Sequence, residues 1–161
     1  MGLILDSDFR PCSFLRGAHL QTIWAAKGRR KPILRDVEWE QLELPDGDFL
    51  ELVWNRNPGR PTVAILSGLE GSFQKSTYLQ CLMETLRFKN MQGVLIHFRG
   101  CGREINRLPR SYHAGDTSDV DFALQHVTEK SSSFPTAIIG YSLGGNVLLR
   151  WLALTQPTLL K

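Results

Sequence analysis

The chain has 161 residues, the size of one ordinary domain, and its 42% hydrophobic and 22% charged residues are typical of a globular protein rather than a disordered one. A formal net charge of +3 is too small to indicate a nucleic-acid partner. The cysteines, Cys12, Cys81 and Cys101, are widely spaced and have no nearby histidine at zinc-ligand spacing, which predicts no metal site and indicates free thiols in a reducing compartment.

Nothing near the N-terminus predicts export or membrane insertion. The first residues, MGLILDSDF, lack the basic region and long apolar core of a signal peptide, and no run approaches the roughly 20 apolar residues of a membrane span. The basic cluster at residues 27–31 is short, which is typical of a solvated loop. We therefore predict a cytoplasmic protein without a transmembrane segment, and the sequence leaves peripheral membrane contact and the oligomeric state open.

Residues 1–36 show little periodicity and are predicted to be an irregular N-terminal segment. The core is expected to begin with VEWEQLEL at 37–44, whose alternation of apolar and polar residues predicts a half-buried strand, and to continue with FLELVW at 49–54. The intervening Pro45-Asp46-Gly47-Asp48 provides a glycine for a positive φ. These two strands are therefore expected to form an antiparallel hairpin.

Apolar runs then alternate with helical patterns. Strands are predicted at 62–66, 94–98 and 136–140, and helices at about 76–90, from 117 or 118, and from 143 to a stop at Pro157. The runs are continuous, as in strands that are covered on both faces. This order predicts the α/β class, with a mostly parallel sheet, helices on both of its faces and the hairpin as an antiparallel edge.

The stretch AIIGYSLGGNVLL at 137–149 places Ser142 between Gly140 and Gly144 at the spacing G-x-S-x-G. A sharp turn from strand to helix holds its central residue in a strained conformation and brings backbone segments close, so small residues are needed two positions before and after it. Such a turn presents the Ser142 hydroxyl at a helix N-terminus, where the Leu143 N–H stabilises an oxyanion.

A second N–H donor is expected from LSGLEGS at 66–72, and Leu69 is the candidate because it follows the small Gly68. The alternative is a glycine-rich strand-to-helix turn without catalysis. Placement after a buried strand and before an amphipathic helix favours the catalytic interpretation. A dinucleotide site is a poor alternative, because GYSLGG lacks the first G-x-G pair.

Several longer stretches resemble the YheT-like subfamily of α/β-hydrolase-fold esterases and lipases, in the family's order. They are LRGAHLQTIW (15–24), LELPDGDFLEL (42–52), LSGLEGS (66–72), HFRGCGREINRLPRSYHAGDTSDV (97–120) and GYSLGGNVLLRWL (140–152). The resemblance implies a serine hydrolase of carboxylic esters that forms an acyl-enzyme, with short- or medium-chain acyl esters or monoacylglycerols as substrates. It implies Ser142 as the nucleophile and no metal or organic cofactor.

The chain departs from the family's pattern in three places. Ser67-Gly68 stands where His-Gly is usual, and GCGREINR stands where the family is closer to GCSGEPNR. The third departure concerns the triad, whose acid and histidine follow the nucleophile in related hydrolases, whereas the 19 residues after Ser142 contain neither. We therefore expect a partial domain, residues 1–161, that is the N-terminal portion of a longer hydrolase truncated after the helix that follows Ser142. The alternative is a non-catalytic remnant or interaction module.

Four upstream histidines are the candidates for a substitute base: His19, His97, His113 and His126. We expect His97 and His126 to be structural or exposed, and His19 to pack or hydrogen-bond locally. His113 follows a strand and could face the same end of the sheet as Ser142, but its match to the family's YHxG segment implies a separate role. Near a predicted helix start, Asp116, Asp119 and Asp121 are interpreted as carboxylates that favour the helix dipole. The strand before Ser142 is expected to have an unpaired edge.

Overall fold

The structure is a computed structural model that describes residues 9–27 and 36–159. The chain divides into two compact units, residues 1–31 and 32–161. The N-terminal residues 1–8, on which the signal-peptide prediction rests, lie outside the described residues, as do residues 28–31 of the basic cluster.

The first unit contains helix α1, Ala18–Lys27. The prediction of an irregular segment over 1–36 is therefore wrong for these residues. The pattern gave no signal because the apolar residues of α1 do not form one buried stripe: Leu20, Ile23 and Trp24 are all about half exposed.

The second unit contains a five-stranded sheet, in the part of the chain from 36 to 159, with the order β1-β2-β4-β3-β5. The strands are β1 Glu38–Glu43, β2 Phe49–Asn55, β3 Thr62–Leu66, β4 Gln92–Ile96 and β5 Ala137–Gly140. The predicted hairpin is present, with β1 antiparallel to β2 and Gly47 at a φ of 87°. Since β2 is also antiparallel to β4, the sheet is mixed, and its parallel part is β4-β3-β5.

Within residues 36–159, three helices cover the two faces of this sheet, as the sequence predicts. They are α2 Thr77–Phe88, α3 Ser118–Ser131 and α4 Leu143–Leu159. Buried residues of α2, among them Leu79 and Met83, pack with Val53 and Ile65 in one apolar cluster. Residues of α3 and α4, including Leu124, Val147 and Trp151, belong to the cluster on the other face.

Two sequence predictions about the last elements are corrected. The run at 136–140 was expected to be a buried strand, but β5 is the edge of the sheet and Ala137 is exposed. Its outer edge has no partner strand within the described residues, as expected for a partial domain. Helix α4 does not stop at Pro157 and ends at Leu159. Because Pro157 stands in the last turn of α4, it costs that turn one backbone donor and does not break the helix.

Candidate active site

The turn between β5 and α4 occupies two residues, and Ser142 is the second of them. Its φ is 49°, in the left-handed region that non-glycine residues rarely adopt. Such strain persists only where the surrounding structure enforces it, and it is concentrated at functional sites. Ser142 is exposed, so its hydroxyl is open to a reactant.

The two flanking glycines are required by close backbone contacts. A Cβ on Gly140 would stand 2.6 Å from the Cα of Gly145, and a Cβ on Gly144 would stand 2.6 Å from the carbonyl oxygen of Leu66. Both distances are far below a normal carbon contact, and both partners are backbone. The close packing predicted for the G-x-S-x-G spacing is present at both positions.

The loop that follows β3 lies directly against Ser142. A Cβ on Gly68 would stand 3.4 Å from the Ser142 Cβ. The Gly71 N–H donates to the Gly68 carbonyl at 2.9 Å and closes a four-residue turn, in which Glu70 has a φ of 53°. Because Leu69 is not among the residues with positive φ, the turn is of type II.

The backbone N–H groups of this turn are engaged at all positions except one. Gly68 donates to the Tyr78 hydroxyl at 3.4 Å, Glu70 donates to the Tyr112 hydroxyl at 2.9 Å, and Gly71 closes the turn. No acceptor for the Leu69 N–H is found within residues 9–27 and 36–159. The Leu69 N–H is therefore without an acceptor in this part of the chain, and it follows the Gly68 that packs on Ser142.

The Leu143 N–H likewise has no acceptor among the described residues. It belongs to the first turn of α4, whose N–H groups have no partner within the helix and carry the positive end of its dipole. Both predicted oxyanion donors are thus unpaired. Their catalytic role stays a prediction, as does that of Ser142.

Ser67 stands where the resembled family has histidine, and it supports the turn from inside. It is fully buried, and its hydroxyl donates to the carbonyl of Gly71 at 3.0 Å. With serine in place of the family's histidine, this hydrogen bond joins the residue before the turn to its last residue.

His97 is structural, as predicted. It lies just after β4 with no exposed surface, and its ring stacks on Trp39 with centroids 5.4 Å apart. Nε2 accepts the Phe73 N–H at 3.0 Å, and Nδ1 lies 2.9 Å from the Glu51 carbonyl oxygen. Since Nε2 is the acceptor, Nδ1 carries the proton, and burial lowers the pKa of the imidazole. Both ring nitrogens are occupied, so His97 is not a free base.

Neither His113 nor His126 is hydrogen-bonded to Ser142 within residues 36–159. His126 on α3 binds the Glu40 carboxylate at 2.8 Å. His19 is exposed on α1, and the expectation that it packs or hydrogen-bonds locally stays a prediction. His113 is exposed, and its Nδ1 accepts the Gly115 N–H at 3.1 Å.

The segment 97–120 was identified by resemblance alone, and its role comes from the structure. Its first half is attached to the hairpin by two buried carboxylates. Asp48 accepts from the Asn106 side chain at 2.8 Å and the Arg107 N–H at 3.0 Å, while Glu51 accepts from the Glu104 N–H at 2.9 Å. The residues joined are more than 50 positions apart, so no local pattern could have found these contacts.

The second half of the same segment reaches the site. The Asn146 side chain donates to the Ala114 carbonyl at 3.2 Å, so this part of the segment runs along the first turns of α4. Tyr112 contacts the Gly68–Gly71 turn through Glu70. The segment therefore lies against both structural parts of the candidate site.

The dipole interpretation of the three aspartates is incomplete. Asp119 binds the Arg99 guanidinium through both oxygens, at 2.6 and 2.8 Å, and Asp116 pairs with Arg110 at 2.6 Å. Asp121 accepts from the Trp151 indole at 2.8 Å. Their main partners are these side chains, which tie α3 to the long segment and to α4.

Over residues 9–27 and 36–159, no group of three or more His, Cys, Asp and Glu side chains is placed to hold a metal ion. In the same ranges, no helix has the length and apolar character to cross a bilayer.

No protein-family model matches the chain. YheT of Escherichia coli, which is named as an esterase, is 40% identical over 152 residues that make up 92% of this chain and 44% of that protein. A solved Xanthomonas campestris protein, described as an α/β serine hydrolase without a lid, superposes with a TM-score of 0.54 at 20% identity, over 76% of this chain and 58% of that one. The chain has the α/β-hydrolase fold and is related to YheT. The fold class predicted from the sequence is thus confirmed.

Human phospholipase ABHD3 is a second relative of this α/β-hydrolase-fold chain, 27% identical over 159 residues that make up 88% of this chain and 39% of that protein. The chain therefore spans less than half the length of these relatives.

Proposed function

We propose that this α/β-hydrolase-fold chain carries the nucleophile and oxyanion hole of a serine hydrolase of carboxylic esters. One observation supports the proposal above all. The exposed, left-handed Ser142 faces a type II turn in which Leu69 has the one N–H without an acceptor among the described residues. A nucleophile next to unpaired donors is the arrangement that acyl transfer requires.

In the proposed mechanism, the Ser142 oxygen attacks the ester carbonyl carbon. The carbonyl oxygen becomes an oxyanion, which the N–H groups of Leu69 and Leu143 stabilise. The bond to the alcohol oxygen then breaks, the alcohol leaves with a proton, and an acyl-enzyme remains. Water attacks the acyl carbon in the second step, which releases the acid and restores the serine hydroxyl.

The proton of Ser142 requires a general base. Within residues 36–159, His97, His113 and His126 are not hydrogen-bonded to Ser142, and each has another hydrogen-bond partner. We therefore propose that the acid and histidine of the triad come from outside the described residues. Without them, turnover falls by about 10⁴- to 10⁶-fold, so the chain alone is expected to be almost inactive.

The proposed substrates are short- or medium-chain acyl esters or monoacylglycerols. Exposed apolar and aromatic side chains lie in the elements next to Ser142: Leu69 is 69% exposed, Tyr78 39% and Tyr141 37%, and the two tyrosine rings are 4.8 Å apart. A small lipid places an acyl chain on such a surface, which also allows peripheral membrane contact. All three cysteines are free, which supports the proposed cytoplasmic location.

A second candidate function is a non-catalytic interaction module. The observation in its favour is the outer edge of β5, which has no partner strand within the described residues and offers free backbone groups to another chain. This candidate predicts a partner that binds equally well when Ser142 is replaced.

Ester hydrolysis by the full-length protein separates the two candidates. We expect Ser142→Ala to lower kcat on a p-nitrophenyl acyl ester by at least about 10⁴-fold. Ser133→Ala, which changes an exposed serine beyond α3, is the matched control and should leave kcat unchanged. Equal activity of the Ser142→Ala variant and the parent would refute the proposed function.

A further inference from the structure

Tyr112 is held both at its ring and at its hydroxyl, although the segment that carries it has no regular secondary structure. Its ring stacks on Phe98 with centroids 4.9 Å apart and an interplanar angle of 15°. Its hydroxyl accepts the Glu70 N–H at 2.9 Å. The ring therefore has little freedom, and the hydroxyl oxygen is a fixed acceptor for one backbone group of the Gly68–Gly71 turn.

That backbone group belongs to the strained residue of the turn. The third position of a type II turn has positive φ and favours glycine, but here it is Glu70, at 53°. A residue with a side chain is disfavoured at positive φ, so this turn without other contacts would favour type I. In a type I turn, the peptide between Leu69 and Glu70 is rotated by about 180° relative to type II. Such a rotation withdraws the Glu70 N–H from Tyr112. The hydrogen bond therefore opposes it.

Turning over this peptide changes the surroundings of the proposed oxyanion donor. The carbonyl of Leu69 belongs to the peptide that turns, and the N–H of Leu69 is attached to the same residue. Leu69 is the position at which the turn leaves an N–H without an acceptor among the described residues, and the preceding Gly68 packs on Ser142. An oxyanion hole depends on donors that are already in place before the reaction, so a mixture of turn types weakens it.

We propose that Tyr112 is a positioning residue whose hydroxyl holds the Gly68–Gly71 turn in its type II form and so keeps the Leu69 N–H in place beside Ser142. The inference rests on the proposed function. It also gives the second half of segment 97–120 a role at the site, although that segment contributes no group to the reaction itself.

The test uses Tyr112→Phe in the full-length protein, because this change removes the hydroxyl and keeps the ring that stacks on Phe98. We expect kcat to fall about 10-fold or more with KM within about threefold, and the affinity for a boronic acid that mimics the tetrahedral intermediate to fall by the same factor as kcat. Hydrogen exchange of the Glu70 amide should become about 10-fold faster. Thr85→Val is the matched control, since it also removes one hydroxyl that is hydrogen-bonded to backbone, at 2.7 Å within α2.

A second variant tests the role of the turn. Glycine adopts a positive φ without penalty, so Glu70→Gly should make Tyr112 unnecessary. In the Glu70→Gly background, Tyr112→Phe is expected to change kcat by less than about threefold. A purely structural role of Tyr112 predicts instead a lower thermal midpoint with kcat unchanged, and no rescue by Glu70→Gly.

The outcomes separate this inference from the proposed function. If Ser142→Ala abolishes hydrolysis while Tyr112→Phe keeps the parent kcat or the parent exchange of the Glu70 amide, the inference is wrong and the proposed function stands. An equal loss of kcat with and without Glu70→Gly also overturns it. If Ser142→Ala has no effect on hydrolysis, the proposed function fails, and the inference fails with it.

Discussion

The imidazole of His97 accepts the backbone N–H of Phe73, with 3.0 Å between the two nitrogens. This bond fixes the end of the loop that begins with the Gly68–Gly71 turn, and it exists only while Nε2 is unprotonated. Burial disfavours the charged ring and lowers its pKa from the ordinary 6.5.

Stability is therefore expected to depend on pH. Below 6.5 the unfolded chain binds a proton that the folded chain does not, so the free energy of unfolding falls as the pH is lowered through 6.5. Below the lowered pKa of His97 in the folded chain, the free energy of unfolding no longer changes through this group. One titrating group changes the free energy of unfolding by at most about 1.4 kcal/mol per pH unit. Urea unfolding between pH 5 and about 7.5 measures the slope. His97→Gln should remove this part of the slope and His113→Gln should keep it, and an unchanged slope in the His97→Gln variant contradicts the account.

Gly144 is predicted to be intolerant of alanine. The added Cβ would meet the Leu66 carbonyl oxygen at 2.6 Å, and neither backbone can move without disturbing the sheet. We expect Gly144→Ala to lower the free energy of unfolding by about 2 to 3 kcal/mol or to prevent folding.

Gly145→Ala is the matched control, because it makes the same change one residue further along α4. Its Cβ would stand 3.2 Å from the Gly140 carbonyl oxygen, a contact that a small shift relieves. Chemical denaturation measures the free energy of unfolding of both variants, and we expect Gly144→Ala to be the less stable one. Equal stabilities would show that the close packing around Ser142 is not as described.

Arg99 is predicted to be the side chain on which the hairpin, the long segment and α3 all depend. It is 2% exposed and binds Asp46, Asp48 and Asp119 at 2.6 to 2.9 Å. Replacement by methionine leaves the fully buried Asp48 without its cation. Breaking a buried pair on one side costs about 3 to 5 kcal/mol.

An exposed arginine provides the comparison. Arg87 pairs with Asp36 at 3.1 Å, and both side chains are more than half exposed. Arg87→Met should therefore change the free energy of unfolding by less than about 1 kcal/mol. If Arg99→Met is as mild as Arg87→Met in thermal unfolding, the proposed dependence on Arg99 is wrong.

Leu69→Pro tests the proposed oxyanion donor without disturbing its turn. Leu69 is the second residue of a type II turn, where proline is favoured, so the substitution removes the free N–H and keeps the backbone shape. The expected loss in kcat is about 10²- to 10³-fold, with KM and the thermal midpoint little changed. Leu69→Ala keeps the N–H and should lose far less. If Leu69→Pro and Leu69→Ala lower kcat equally in steady-state assays, the loss comes from the leucine side chain, and the proposed role of the N–H is wrong.

The sequence predicted the fold wherever local pattern and tertiary environment agree. The run TVAIL occupies 62–66 in both the prediction and the structure, because β-branched and apolar residues suit a strand that is covered on both faces. The same reasoning failed on the burial of 136–140, because an apolar run does not reveal its place in the order of strands. The spacing around Ser142 predicted the sharp turn, since the steric demand for small residues is itself local.

The parts that could not be predicted depend on contacts distant in sequence. Tyr112 and Glu70 are 42 positions apart, and Asn106 and Asp48 are 58 positions apart. A carboxylate or a tyrosine carries no sign of which distant N–H it will bind. For this reason the segment 97–120 was known only by resemblance, and its attachment to the hairpin and to the Gly68–Gly71 turn required the structure.

Covalent labelling of Ser142 tests the central claim most directly. A fluorophosphonate reacts with a serine only when that serine is activated as a nucleophile, and mass spectrometry of the digested protein locates the adduct. For the folded full-length protein, we predict an adduct on the peptide that contains Ser142, and its disappearance in Ser142→Ala while Ser133→Ala is still labelled. Folded protein that takes up no probe, or that is labelled to the same extent after Ser142→Ala, would contradict the account.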